Sequence, residues 1–500
     1  MPTSRREFLA AAAALGLGPK LTSLGVRLAA LGAAPSAPTD YKALVCIFLL
    51  GGNDSANMVL ATDPDSWGRY QGGRNQGTAP IALAAPGAPP SGTFAANGLL
   101  ALGGVLPIVP TTDNGWPAGT TGTGPRSFAL HPLMPGLQGL FGQGKLAVVA
   151  NLGPLVEPVT KAQYKAGTVP VPRSLFSHND QQSTWQSGTI EGARVGWGGQ
   201  LCDLMLSANQ NAIFTAISVS GNAVFLTGQN TLGYQSGAAG PVAINGIAGA
   251  SLFASKAAPA ILDAEITTPA PTYPSLFQQS YAAVVGRSIG AQQALANALK
   301  GVTAAPAPPK VTNPVTGNPV ANPAAAGLQT ILDLIAAGQL LGMKRQVFFL
   351  GVGGFDTHLL ENDSHPLLMA ELDSALTYFY QSLGSLNGAD LTASVTAFTM
   401  SDFSRTFTTN GSGTDHAWGA HHLILGGAVN GKNIYGQYPT LGIDLGSFTN
   451  PNMSGNAIIP TTSVDQYAAT LGAWFGVGQS DLNTIFPNLA NFSSNNLGFV

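Results

Sequence analysis

Charge is scarce in this 500-residue chain. Lys, Arg, Asp and Glu together make up 9% of it, and the formal net charge is −3. A nucleic-acid surface needs a basic patch or stripe, and nothing in this balance supplies one. Cysteine is almost missing: Cys46 falls in a strand-like run and Cys202 in a helix-like one. Neither has a second Cys or a His at ligand spacing, so they read either as a disulfide or as two buried free thiols. There is no CxxCH, no Cys cluster and no GxGxxG placed after a strand, which removes the usual sequence marks of an oxidoreductase. Beyond the N-terminus no stretch reaches the roughly 18 consecutive apolar residues of a membrane span. What is abundant is apolar content, at 45%, with 63 Gly and 35 Pro. The chain can bury a large core and carries many turns.

The first 40 residues stand apart. Ser4-Arg5-Arg6-Glu7-Phe8-Leu9 fits a twin-arginine (Tat) pattern, and residues 8–18 form a short, weakly apolar run. Such a signal implies export of the folded protein by the Tat translocase to a periplasmic or extracytoplasmic location. Ala34 and Ala37 are the candidate cleavage points; an ordinary signal peptide or a tail is the alternative. Residues 41–500 read as one α/β domain with loop-rich insertions near 72–125 and 220–325. Within the second insertion, 303–327 is a Pro/Ala-rich loop.

Three stretches share one shape. Residues 345–358 (RQVFFLGVGGFDTH) are an apolar strand broken by Gly351, Gly353 and Gly354, with Asp356 and His358 at its exit. Residues 43–50 run into GGNDSAN with Asp54, and 394–400 run into SDFSR with Asp402 and Arg405. In open α/β sheets ligands bind beyond the carboxyl ends of the strands. Three strands that each deliver an acid there predict one shared site. Helical patterns precede several strands, as parallel strands with crossover helices require. A helical region is expected at 128–141, a helix capped by Ser364 running to about 383, and a capping box at Ser463-Val464-Asp465-Gln466.

Histidine sharpens this. Of seven in the chain, His358, His365, His416, His421 and His422 fall within 65 residues around two strand exits. Imidazole and carboxylate together form the ligand set of Zn²⁺ or Mn²⁺, and oxygen-rich versions favour Mg²⁺, Mn²⁺ or Ca²⁺. Each His alone is also consistent with a structural residue. Ser177, in SLFSHND, is a candidate nucleophile, and His178 beside it a base or ligand; the alternative is a polar loop that caps a helix. Arg405 would hold an anionic group or pair with Asp402. Asp415 is placed to orient His416. Trp185, Trp197 and Trp418 read as core.

The segments SRREFL, LLGGNDSAN, GGFDTH, SDFSR followed by DHAWGAHHLILGGAV, and PTTSVDQYAATLGAWFGV together resemble a family of Tat-exported bacterial proteins of unknown function, grouped with the alkaline phosphatase/sulfatase superfamily. The resemblance runs from residue 5 to 500 apart from the Gly/Pro-rich insertions. It implies a three-layer α/β/α sandwich with a mostly parallel central sheet. It also implies hydrolysis of phosphate or sulfate esters with one or two divalent metals. Asp54 corresponds to the metal-binding Asp after the first strand, and Asp356 and His358 resemble an Asp/His metal pair, at a spacing of two rather than four. Asp402 matches the Asp of an Asp-His pair with Phe403 in place of the His, and His416 resembles the final His ligand. One metal (Zn, Mn, Mg or Ca) fits this pattern better than two.

Two function classes follow. One is an exported metal-dependent hydrolase of small anionic esters, with Asp54, Asp356, His358, Asp402 and His416 on the metal and Ser177 as nucleophile. The other is an exported binding or assembly protein that keeps the fold without the chemistry.

Overall fold

The computed structural model describes residues 40–120, 122, 124–237, 240–244, 255–267, 275–444 and 449–500. Except for Asp40, the expected export signal and linker lie outside the described residues. Among those described, ten strands form the central sheet: β1 (Lys42–Leu49), β2 (Leu146–Gly153), β3 (Ala216–Ser218), β4 (Tyr234–Gly237), β5 (Gly240–Pro241), β6 (Arg345–Val352), β7 (Val395–Ser401), β8 (Ala420–Gly426), β9 (Ile434–Tyr435) and β10 (Thr462–Ser463). Their spatial order is β9-β2-β8-β7-β1-β6-β3-β4-β5, with β10 also paired to β2. β1 lies at the centre, parallel to both β6 and β7.

The composition of β1, KALVCIFL, explains its place. After Lys42 it holds no charge, and every residue from Ala43 to Leu49 is buried. A strand covered on both faces reads as a continuous apolar run. Its side chains alternate between two cores: Ala43, Val45, Ile47 and Leu49 face one, Leu44, Cys46 and Phe48 the other. The first core is completed by α2 (Pro135–Gly142), α6 (Pro323–Leu340) and α7 (Glu361–Leu383), and the second by α3 (His178–Ser187), α4 (Trp197–Met205) and α8 (Val464–Phe475). Two further helices are α1 (Pro64–Arg74) and α5 (Leu276–Lys300). The result is an α/β fold with a mixed, mostly parallel sheet and helices packed around it. Both cysteines are buried and free. No helix among the described residues is long and apolar enough to cross a membrane.

Two expectations need correction. Residues 128–141 are not one helical region. Phe128–Leu130 is a strand paired with Val59–Ala61 and Leu106–Ile108, and α2 starts only at Pro135. Pro132 disfavours helical backbone at His131, and Pro135 suits the first helical position. α7 begins at Glu361 rather than after Ser364, with Leu360 in the left-handed region (φ 55°) as its N-cap. The Leu360 carbonyl accepts from Asp363 N and Ser364 N, and acids at 361 and 363 suit a helix N-terminus. β8 runs antiparallel to both β7 and β2. No helix lies between β7 and β8, and only a helix-length crossover would have returned the chain for parallel pairing.

The capping box at the start of α8 is present. Ser463 Oγ accepts from Gln466 N at 3.1 Å, and Gln466 Oε1 accepts from Ser463 N at 3.0 Å. Both residues are buried, so water does not replace these bonds. Ser463→Ala is expected to lower unfolding free energy by about 1 kcal/mol. Adding Gln466→Ala should cost less than the sum of the two single changes, because the bonds are reciprocal. Chemical denaturation of the three variants checks this; full additivity would contradict it.

Candidate functional site

Because β7, β1 and β6 are adjacent and parallel, their carboxyl ends meet at one edge of the sheet. The β1 exit turns on Gly51 (φ 117°) and Gly52 (φ 87°). A Cβ on Gly51 would lie 2.3 Å from the backbone N of Asp356, and one on Gly52 would lie 2.5 Å from the Phe403 ring. Only glycine lets the first exit lie against the other two.

At this edge four side chains converge: His178 from α3, Asp356 and His358 beyond β6, and His416 from the loop before β8. One ligand atom of each lies within 4.8 Å of all the others. Nε2 of His358 and Nε2 of His416 are 2.7 Å apart. Asp356 Oδ1 lies 3.4 Å from Nε2 of both His178 and His358, and 4.0 Å from that of His416. The other ring nitrogens all face acceptors. His178 Nδ1 meets Asp402 Oδ2 at 2.7 Å, His358 Nδ1 meets Asp415 Oδ1 at 3.0 Å, and His416 Nδ1 meets the Phe176 carbonyl at 2.6 Å. Each acceptor calls for a proton on Nδ1, which leaves each neutral ring with an Nε2 lone pair turned inward. Nε2 of His178 is buried and has no hydrogen bond among the described residues. Three lone pairs and a carboxylate facing each other repel unless a cation or a proton lies among them.

The surroundings tune these groups. The hydrogen bond that Asp402 accepts, together with its charge, raises the His178 pKa. Burial lowers that of His416. Burial alone would raise Asp356, but the Arg405 hydrogen bond and charge outweigh it and hold the carboxyl below its usual range. Phe403 forms the floor, its ring centroid 4.9 Å from that of His178 and 4.6 Å from that of His416. Asp356 and His358 are the open side, 51% and 41% exposed, against 27% for His178 and 23% for His416.

Of the five residues expected on a metal, the structure brings together Asp356, His358 and His416, and adds His178. Asp402 stands behind His178. Fully buried, it accepts from His178 Nδ1, from Gln182 Nε2 at 2.8 Å and from Gly51 N at 3.1 Å. It is therefore a positioning residue rather than a ligand. Asp54 lies outside the cluster. Both its oxygens are taken by Arg74 of α1, at 2.5 and 2.7 Å. Burial raises its pKa, but Arg74 prevails and brings it down to about 2. Arg405 is 1% exposed and donates to the carbonyls of Gly51, Gly52 and Thr414 and to Asp356. Its guanidinium serves the loop and Asp356, and leaves little to offer an incoming anion. Ser177 caps α3, with Oγ accepting from Asp180 N at 3.5 Å.

Asp415 orients His358, not His416. The partner of His416 is the carbonyl of Phe176, a residue held at φ 75°. A non-glycine residue in that region is uncommon. His421 and His422 point to opposite sides of β8, buried, and burial pushes both pKa values down to about 3. His365 is buried against Asn53 Oδ1 at 3.2 Å, and Leu133 N donates to His131 Nδ1 at 3.1 Å. Trp185, Trp197 and Trp418 are core.

The fold and site thus define an α/β protein with a His/Asp cluster, able to hold a metal ion, at its strand exits. The chain belongs to the family described as a protein of unknown function (DUF1501), whose profile matches residues 41–486. No curated protein matches it.

Next to Asp54 lies Glu361, 1% exposed. Burial first and then the charge of Asp54 push its pKa well above 4.5. A carboxyl with a raised folded pKa binds its proton more tightly folded than unfolded, so stability falls as pH rises past the unfolded value. Glu361→Gln removes this penalty. The variant is expected to match the wild type near pH 4 and to exceed it in stability at pH 7.5. Denaturant unfolding at the two pH values decides it. A variant less stable at pH 7.5 would contradict the assignment.

Proposed function

We propose that this protein is an exported metal-dependent hydrolase of small phosphate or sulfate esters, with the three-layer arrangement of the alkaline phosphatase/sulfatase superfamily. The observation that carries the reading is the convergence of three Nε2 lone pairs and one carboxylate, each imidazole locked from behind by an acceptor. Metal-ligating histidines are held in this way, with the far nitrogen donating to a carboxylate or carbonyl. The donor set narrows the ion. Mg²⁺ and Ca²⁺ take oxygen ligands, whereas three imidazoles and one carboxylate suit Zn²⁺ or Mn²⁺. One ion fits, since Phe403 occupies the position where a second site would need a His and Asp54 is neutralised by Arg74. Helices against both sheet faces and a site at the strand exits are consistent with the superfamily's layering.

When bound, the ion supplies Lewis-acid chemistry at neutral pH. The chain's own groups have separate tasks in this reading. Asp402 and Asp415 hold His178 and His358 in the tautomer that presents Nε2. Arg405 fixes Asp356 and tempers its charge. Ser177 supplies the nucleophilic hydroxyl beside His178, and the exposed side by Asp356 and His358 admits the ester. Since His178 has a raised pKa, protons compete with the ion, and affinity falls as pH drops through that value. A second reading, a binding protein without catalysis, draws on the engagement of Arg405 and on Phe403.

The test is turnover of aryl phosphates and aryl sulfates by the exported protein, after chelation and then after Zn²⁺ or Mn²⁺ is restored. The reading predicts metal-restored hydrolysis that drops about 100-fold or more in Asp356→Ala and His358→Ala. Ser177→Ala should lose turnover while keeping metal. A metal-loaded wild type inert toward both ester classes would favour the binding role.

A further inference from the structure

A cavity of about 420 Å³ lies beside the His/Asp cluster, bounded by α3, the exits of β1 and β6, and the segment after β3. That volume falls in the range of small-molecule sites, which favour the carboxyl edge of an α/β sheet. Its lining is unusual for a site serving a phosphate or sulfate ester. Among the described residues no Lys, Arg or His lines it; the polar groups are mostly carboxamides, with Glu191 as the one charge.

Two of those carboxamides are fixed in orientation. Gln182 donates Nε2 to Asp402, so its Oε1 is left as an acceptor. Gln186, only 7% exposed, accepts from Phe225 N at 3.1 Å through Oε1, so its Nε2 is left as a donor. Neither remaining atom has a hydrogen bond among the described residues. The two lie four residues apart on α3, and so on one face of the helix. Asn179 on the same helix also makes no side-chain hydrogen bond among the described residues, while Asn222 across the cavity accepts from Gln235. Phe349 and Leu50 add an apolar wall.

We propose that this cavity binds an uncharged, hydroxyl-rich ligand of saccharide type. A hydroxyl both donates and accepts, so neighbouring hydroxyls satisfy a preset acceptor and a preset donor side by side. The lack of cations argues against a polyanion. A peptide would be expected to extend a free strand edge, but β3 is paired on both sides, to β6 and β4. The inference rests on the reading of the neighbouring cluster only for what the ligand is bound for. Gln182 and His178 share Asp402, so a saccharide in the cavity sits next to the reacting centre and supplies the uncharged part of a substrate.

Saturation-transfer NMR on the full exported protein tests this, with maltose, cellobiose and N,N′-diacetylchitobiose as probes and triglycine and methyl sulfate for comparison. The expected result is transfer to at least one disaccharide, with affinity reduced about tenfold in Gln186→Glu, which keeps the acceptor for Phe225 N and removes the donor. Asn179→Ala, at an exposed position, should weaken binding without a folding cost. Metal content measured on the same samples separates the two ideas. Saccharide binding without metal would support the cavity assignment and count against the hydrolase. A folded, metal-bearing protein with no saccharide signal, stronger transfer to triglycine, or an undiminished signal in Gln186→Glu would overturn it.

Discussion

An imidazole has two nitrogens, and the structure decides what one of them does by securing the other. Asp402, Asp415 and the Phe176 carbonyl each meet an Nδ1, and the three Nε2 atoms are turned toward Asp356 as a consequence. Much of the surrounding architecture follows from keeping those acceptors in place. Asp402 is wholly buried and needs its own donors, found in Gln182 and in the amide of Gly51. Gly51 reaches that position only with a left-handed backbone pressed against Asp356, where no side chain fits. Phe176 takes a conformation unusual for its residue type, with its carbonyl aimed at His416. The central strands exist without the site, but the loops around them are shaped by it.

Two aspartates that looked alike have opposite fates because their arginines differ. Asp54 is enclosed by a fork-like pair with Arg74, both side chains fully buried. Breaking a buried pair on one side leaves an unpaired charge and typically costs several kcal/mol, so this interaction belongs to the stability of the fold. Glu361 beside it has its pKa raised by burial first and then by the charge of Asp54. Asp356 keeps half its surface open, and Arg405 approaches one of its oxygens while spending most of its other donors on backbone carbonyls. The same residue type therefore anchors the fold in one place and faces solvent at a candidate reaction centre in the other.

The strand exits were legible in the chain because a run such as KALVCIFL or QVFFL ending in glycines and an acid is a local pattern with a physical cause. The capping box before α8 was legible for the same reason. The direction of β8 was not, since a short apolar run such as Leu423-Ile424-Leu425 looks the same in either sense; only the missing crossover helix told. The pairing of Asp54 with Arg74 was hidden too. One arginine in a glycine-containing helix 20 residues later carries no pattern that names its partner. His178 stood out as polar and near a candidate serine, but its arrival between Asp356 and His416 depends on α3 packing against the sheet. The Phe176 carbonyl is invisible at the level of residue type, because any residue offers one.

The most direct measurement is the metal content of the folded protein, by elemental analysis of the wild type beside His178→Ala, His358→Ala and His416→Ala. The account predicts about one equivalent of Zn or Mn per chain in the wild type and its loss in each variant, with the fold retained. It also predicts retention of the ion in Asp54→Asn, since that residue faces Arg74. A wild type that takes up neither ion, or a His178→Ala variant that holds as much as the wild type, would contradict it.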